Sequence, residues 1–157
     1  MGSHEAEKEP LSATDSAAEM ADVSDEMAAR IADAEAKLVA LAEQYEALVH
    51  KDLDELGGHL DRFIADPGSR LATVESIFTI AHNVKGQGSS FGYQMLTEIA
   101  HSLCNFLRNL GDPGDGDGDI IRHHLSAMVV VVDQNIKGDG GELGRQVVAK
   151  LQSLVAD

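Results

Sequence analysis

The sequence predicts an all-α protein, in which an antiparallel four-helix bundle follows an extended N-terminal helix. Apolar residues recur at helical spacing in every long segment, and short stretches rich in Gly, Asp and Pro separate these segments. A run rich in β-branched residues, Met128-Val129-Val130-Val131-Val132, could form a strand, but the sequence offers no second strand to pair with it. The 157 residues fit about one domain. We divide them into a disordered lead (1–14), an N-terminal helical extension (15–39) and the bundle (40–157).

The first predicted helix starts near Ala17, because no Gly or Pro interrupts the chain from there to Leu56. The helix can kink at Gly57-Gly58, and we expect it to end at Asp66-Pro67-Gly68. A helix of roughly 70 Å is too long for a compact bundle to cover. Its apolar stripe therefore fits either the inner face of the first bundle helix or a coiled-coil seam in a homodimer. The stripe consists of Met27, Ile31, Ala34, Leu38, Leu41, Tyr45 and Leu48, and it resumes at Leu53, Leu56, Leu60, Phe63 and Ile64.

Four shorter helices are predicted next. Ser69 is the expected N-cap of the second, and the third runs from about Gly92 to Leu110. Asp119 is the expected N-cap of the fourth, which includes the β-branched run, and the last covers about 142–155. The inner face of the second helix is expected to comprise Val74, Ile77, Phe78, Ala81 and Val84, and that of the third Tyr93, Leu96, Ile99, Leu103 and Leu107.

Composition excludes several classes of function. A formal net charge of −15 argues against a nucleic-acid partner, because the field of the protein repels polyanions. The single cysteine, Cys104, excludes a disulfide framework and fits a reducing cytoplasm. No apolar run is long enough for a membrane span, so we expect no membrane association.

The negative charge is uneven along the chain. Residues 1–35 carry ten acids and two bases, whereas residues 62–110 carry three acids and four bases, a net charge of +1. The second helix, which lies in this relatively basic segment, places His82 about 100° from its apolar face, with Lys85 one turn further on. Such an exposed imidazole beside a cation suits a nucleophile that accepts a phosphoryl group, although an ordinary solvated histidine fits the same geometry.

The segment from His82 to Gly86 reads His-Asn-Val-Lys-Gly, and Phe91-Gly92 follows it. This pattern resembles the signature of histidine phosphotransfer (HPt) domains, and it is most similar to the phosphotransfer domain of chemotaxis histidine kinases. The resemblance extends to His101 and to Asn105-Phe106-Leu107. It implies an HPt-like bundle.

By this resemblance His82 is the phosphoacceptor, Lys85 contacts the phosphoryl group and Gly86 makes room for a docked partner, with Ser89 nearby. His101 matches a histidine of the family's hydrogen-bond network. The family commonly has Glu or Gln where this chain has Cys104. A thiol is a weak acceptor, so control of the imidazole tautomer is expected to be poorer unless His101 or Asn105 substitutes.

The resemblance implies a cytoplasmic carrier in two-component signalling, whose partners are a histidine kinase and a response-regulator receiver domain. The sequence contains no nucleotide-binding loop, so we expect no kinase activity of its own. No cofactor or metal of its own is expected, since the receiver would supply Mg²⁺. The alternative is a dimeric module that docks receivers without transferring a phosphoryl group.

Two weaker patterns are read as structural. Asp115, Asp117 and Asp119 alternate as in a calcium loop, but Ile120 occupies the position where such a loop needs Gly. His123-His124 is predicted to be a pair on a helix surface, because adjacent residues point about 100° apart.

Overall fold

The longest element is α1, a single helix of 53 residues, Ala13–Ala65. The computed structural model describes residues 13–156. The prediction of a disordered lead therefore lies outside the described residues, except at residues 13 and 14, which begin the helix. The helix continues through Gly57-Gly58 and ends directly before Asp66, where the sequence predicts its end.

The chain divides into two units, Met1–Leu41 and Ala42–Asp157. In the first unit every residue from 17 to 41 is exposed. The prediction that the stripe faces the inside of the bundle is therefore wrong for residues 27–41. Two ion pairs within the helix stabilise this part of α1, one between Arg30 and Glu26 at 3.0 Å and one between Lys37 and Asp33 at 3.2 Å.

In the second unit short turns join consecutive helices, so that consecutive helices run in opposite directions. The part of α1 within this unit forms the bundle with α2, α3 and α4, and α5 packs against α3 and α4. The residues that the structure describes form five α-helices and no strand, so the all-α prediction is confirmed. None of these helices is long and apolar enough to cross a membrane. The bounds are α2 Arg70–Gly88, α3 Gln94–Asn109, α4 Asp117–Asp133 and α5 Gly141–Val155.

The predicted stripes supply most of the core. All five residues of the predicted α3 stripe are buried, whereas on α2 Val74 and Phe78 are half-buried and Ile80 takes a place in the core. On the part of α1 beyond Leu41, Leu48 and Ile64 are the exceptions, with 44% and 43% of their surface exposed. The apolar residues that α1 adds to the core are Tyr45, Val49, Leu53, Leu56, Leu60 and Phe63.

The two predicted helix caps differ in outcome. Ser69 is the N-cap residue of α2, as predicted, but its hydroxyl donates to the Asp66 carbonyl oxygen at 2.9 Å and makes no capping bond to α2. Helix α4 begins two residues before Asp119, and Gly116 is its N-cap. The Asp119 carboxylate accepts a hydrogen bond from Arg122 at 2.7 Å instead. Both side chains have competing partners within one turn, which the sequence does not rank.

The His123-His124 prediction holds for only one of the two residues. His123 is exposed, but His124 is fully buried in the core. His124 Nδ1 lies 2.8 Å from the Ile120 carbonyl oxygen, and Nε2 lies 2.9 Å from Ser102 Oγ on α3. Because a carbonyl only accepts, Nδ1 carries the proton and Nε2 accepts from the serine hydroxyl. This neutral ring links α4 to α3.

Protonation of His124 is expected to destabilise the fold. Burial lowers the pKa of His124 below its ordinary value of 6.5, since the charged ring loses its hydration, and the hydrogen bond to Ile120 opposes this only in part. The unfolded chain therefore takes up a proton at a higher pH than the folded chain. The stability that the neutral His124 ring contributes is present in full above about pH 6.5. It is lost as the pH falls from there towards the pKa of His124 in the folded chain.

Urea unfolding at pH 7.5 and at successively lower pH values measures this loss, which for one proton is at most about 1.4 kcal/mol per pH unit. The slope of stability against pH should become shallower in His124→Gln, whatever the absolute stability of that variant. His123→Gln is the matched control, because the neighbouring ring is exposed. Identical slopes for wild type and His124→Gln would contradict the assignment.

Candidate functional site

His82 lies on the exposed face of α2, in a helix that the core holds firmly. Ile77, Ala81 and Val84 are buried on the opposite side. The imidazole stacks on the Phe78 ring one turn earlier, with ring centroids 5.9 Å apart and the planes 14° from parallel. The ring is therefore supported on one face and open to solvent.

Two of the predicted neighbours of His82 follow on the same helix, and the third, Ser89, comes directly after its last residue. Residues three, four and seven positions later lie on one side of a helix, and these are Lys85, Gly86 and Ser89. Lys85 is half-buried in the last turn of α2, whereas Gly86 and Ser89 are exposed. A Cβ built at Gly86 meets nothing within 4 Å. The surface beside His82 is thus free of side-chain bulk, with a cation one turn away.

Helix α3 adds a polar row that reaches this surface. Asn105 Nδ2 lies 3.3 Å from His101 Nε2, and Arg108 Nη1 donates to Asn105 Oδ1 at 3.4 Å. The Arg108 guanidinium lies 5.5 Å from the centre of the Phe78 ring, on which His82 also stacks. Phe78 and Arg108 therefore connect His101 and Asn105 to the His82 face.

Sequence reasoning missed the roles of Phe78 and Arg108. Phe78 has the spacing of a core residue, so its place beside His82 was not expected. Arg108 lies beside Phe78 because α2 packs against α3, and local spacing does not reveal which helices pack together. The arginine belongs to the relatively basic segment 62–110, which is the one sequence signal that pointed towards it.

Cys104 lies below this surface and is fully buried. Burial raises the pKa of the Cys104 thiol, although the positive charges of Lys85 and Arg108 act in the opposite direction. The thiol is therefore neutral at pH 7.

In the described part of the chain no other side chain holds the His82 ring in one tautomer. Within residues 17–156 no side chain forms a hydrogen bond with the His82 ring. His101 and Asn105 were the candidates to replace the missing Glu or Gln, but they bond to each other instead. Either imidazole nitrogen of His82 is accordingly open to solvent or to a partner.

An open groove adjoins the site on the N-terminal side of His82. It has a volume of about 750 Å³ and runs between α2 and α3. Phe78 and Arg108 belong to its wall, so the groove is continuous with the surface around His82. Its remaining lining residues are Ala72, Val74, Glu75, Ser76, Thr79 and Leu107.

The loop after α2 is hydrogen-bonded to the turn between α4 and α5. Gly92 has a left-handed φ of 85°, which favours glycine, and its carbonyl oxygen accepts from Gly138 N at 2.7 Å. Lys137 Nζ donates to the Phe91 carbonyl oxygen at 3.1 Å and lies 3.6 Å from the centre of the Tyr93 ring. Gly92 of the sequence motif thus anchors the loop that follows the helix carrying His82.

Comparison with known proteins identifies one family. The family model described as Hpt domain matches residues 20–135, which is more than half of the chain. No curated protein and no solved structure matches the chain.

Proposed function

Because the chain belongs to the Hpt domain family, a family of phosphotransfer modules in two-component signalling, we propose that it relays a phosphoryl group on His82 between a histidine kinase or receiver domain and a response regulator. The observation that carries this proposal is the placement of His82. Its imidazole is exposed on a rigid helix, with Lys85 one turn further on and the open position Gly86 beside it.

The transfer step requires an unprotonated ring nitrogen. Nε2 of His82 attacks the phosphorus of an aspartyl phosphate on a receiver, a nitrogen–phosphorus bond forms, and the bond to the aspartyl oxygen breaks. The carboxylate leaves with the bonding electrons, and the proton on Nδ1 can pass to solvent. The receiver brings the Mg²⁺ that this chemistry needs. Return of the group to another receiver reverses these changes.

The charges around His82 favour such a partner. Lys85 and Arg108 offer positive charge to the phosphoryl oxygens, and they stand in the segment with a net charge of +1 within a chain of net charge −15. An acidic receiver pocket is attracted to this surface and repelled by most of the remainder. The groove beside Phe78 and Arg108 provides an adjoining apolar surface on which the receiver can rest.

Phosphotransfer profiling tests the proposal. The protein is mixed with a panel of receiver domains that carry a radiolabelled aspartyl phosphate, and the label is followed over time. We expect at least one receiver to pass its label to this chain in an acid-labile, alkali-stable form. Binding of phosphorylated receivers without any movement of label would overturn it.

That second outcome would favour the alternative, a module that docks receivers without transferring the group. The observation behind this alternative is the environment of the imidazole. Cys104 stands where the family commonly has Glu or Gln, and no described side chain between residues 17 and 156 holds the His82 tautomer by a hydrogen bond. The profiling experiment separates the two functions, because only one of them moves the label.

A further inference from the structure

The first unit presents an unpartnered apolar row on α1. The exposed fractions of these large side chains lie between 50% and 71%. A contiguous row of this kind is unusual on a surface that stays in water. Its large members are Met20, Met27, Ile31, Leu38 and Leu41.

The row follows a heptad register. With Ile31 and Leu38 at position a, Ser24 is also at a, and position d holds Met20, Met27, Ala34 and Leu41. The next a position is Tyr45, which is buried inside the second unit. Up to this buried position the free row runs from Met20 to Leu41 and spans three heptads.

The charged residues of this part of α1 also follow the heptad register. Its acids are placed on the outer positions b, c and f, with the single exception of Glu35 at position e. The two bases, Arg30 and Lys37, are both at position g. The acids at outer positions are Glu19, Asp22, Asp25, Glu26 and Asp33.

From this arrangement we infer that the row is the seam of a parallel, in-register homodimer of this chain. In a parallel pair a residue at g faces the e position five residues later on the other helix, so Arg30 faces Glu35 of the second copy. An antiparallel pair would set the g positions against each other and bring Arg30 and Lys37 of the two copies together, which is repulsive.

A second copy fits this seam better than a basic helix from another protein. Such a helix would be drawn to the acids, which lie on the side of α1 away from the apolar row. Between two copies, the acids at outer positions lie far from one another, and the residues beside the seam carry opposite charges. Dimerisation also does not depend on the phosphotransfer function, and it holds or fails separately from that proposal.

Solution mass measurement on the full chain tests the dimer. Light scattering with size-exclusion chromatography should show twice the chain mass of 16.7 kDa. Leu38→Glu at position a should reduce the mass to that of one chain. Val39→Glu is the matched control, since Val39 is a neighbouring exposed apolar residue at the outer position b, and it should leave the dimer intact.

Disulfide trapping tests the orientation. Ser24→Cys places a thiol at position a, where parallel helices bring the two copies together, and oxidation should yield a covalent dimer. Ala29→Cys at the outer position f is the control and should yield none. The wild-type chain should also stay uncrosslinked, because Cys104 is buried.

Several results would overturn the inference. A wild-type chain that remains monomeric up to high micromolar concentration excludes the dimer. Equal dissociation of Leu38→Glu and Val39→Glu indicates unspecific apolar association, and a dimer that survives Leu38→Glu uses another surface. A dimer that Leu38→Glu dissociates but Ser24→Cys fails to trap excludes the parallel register. Circular dichroism of each variant shows whether the helices are retained.

Discussion

His82→Gln is expected to abolish acid-labile phosphorylation of this protein by every receiver that labels the wild type. The amide of glutamine is not nucleophilic and cannot form the nitrogen–phosphorus bond, so no residual transfer through this position remains. The fold should be unaffected, because His82 is exposed and its ring packs on the half-buried Phe78 at the surface. Surface substitutions of this kind change stability by about 0.5 kcal/mol or less.

His101→Gln is the matched control. His101 is also an exposed histidine of the site, but its ring bonds to Asn105 on α3 and does not accept the phosphoryl group in our proposal. This variant should still be labelled, with an altered rate at most. The measurement is the radiolabel retained on the protein after brief exposure to a phosphorylated receiver, with and without acid treatment. Equal labelling of His82→Gln and the wild type would refute His82 as the carrier.

Gly86 and Gly88 are expected to respond in opposite ways to an added side chain. At Gly86 a side chain meets open space, and glycine is a poor helix former. Gly86→Gln should therefore raise the free energy of unfolding by about 0.5 kcal/mol. It should nevertheless lower the rate of transfer about tenfold or more, a cost of about 1.4 kcal/mol, because its bulk stands between His82 and the docked receiver.

At Gly88 a Cβ would lie 2.5 Å from Thr97 Oγ1 and 3.3 Å from the Tyr93 carbonyl oxygen. Gly88→Ala should therefore lower the stability by about 1–3 kcal/mol, while transfer per folded molecule remains close to that of the wild type. Urea unfolding and phosphotransfer rates on the same preparations separate the two effects. A Gly86→Gln protein that transfers at the wild-type rate would remove Gly86 from the docking surface.

Much of the fold follows from local sequence patterns. The α3 stripe from Tyr93 to Leu107 is buried throughout, because helical periodicity sorts residues within a few turns of one another. Gly92 is singled out through the resemblance of the segment after His82 to the family signature, and the structure shows a left-handed φ of 85° at this position. The error at Asp119 and the missing side-chain capping bond at Ser69 concern helix ends, where a polar side chain has more than one local hydrogen-bonding partner.

The same patterns could not separate His123 from His124. The two are adjacent, equally polar and on one helix, and the buried position of His124 depends on Ser102, a residue of α3. Arg108 is a similar case, because its contact with Phe78 joins residues of two helices. Periodicity carries no information about such contacts, since they depend on which helix faces which.

The sequence alone determined the helical class and the bounds of most helices to within a few residues. The resemblance of the segment from His82 to Gly92 added the prediction that His82 is the phosphoacceptor. These features depend on residues close together in the chain. Only the tertiary structure decided that His124 is buried, that Arg108 reaches the His82 face, and that the row from Met20 to Leu41 is exposed. The physical reason is that burial is a property of packed helices, and residues distant in the sequence determine what each helix packs against.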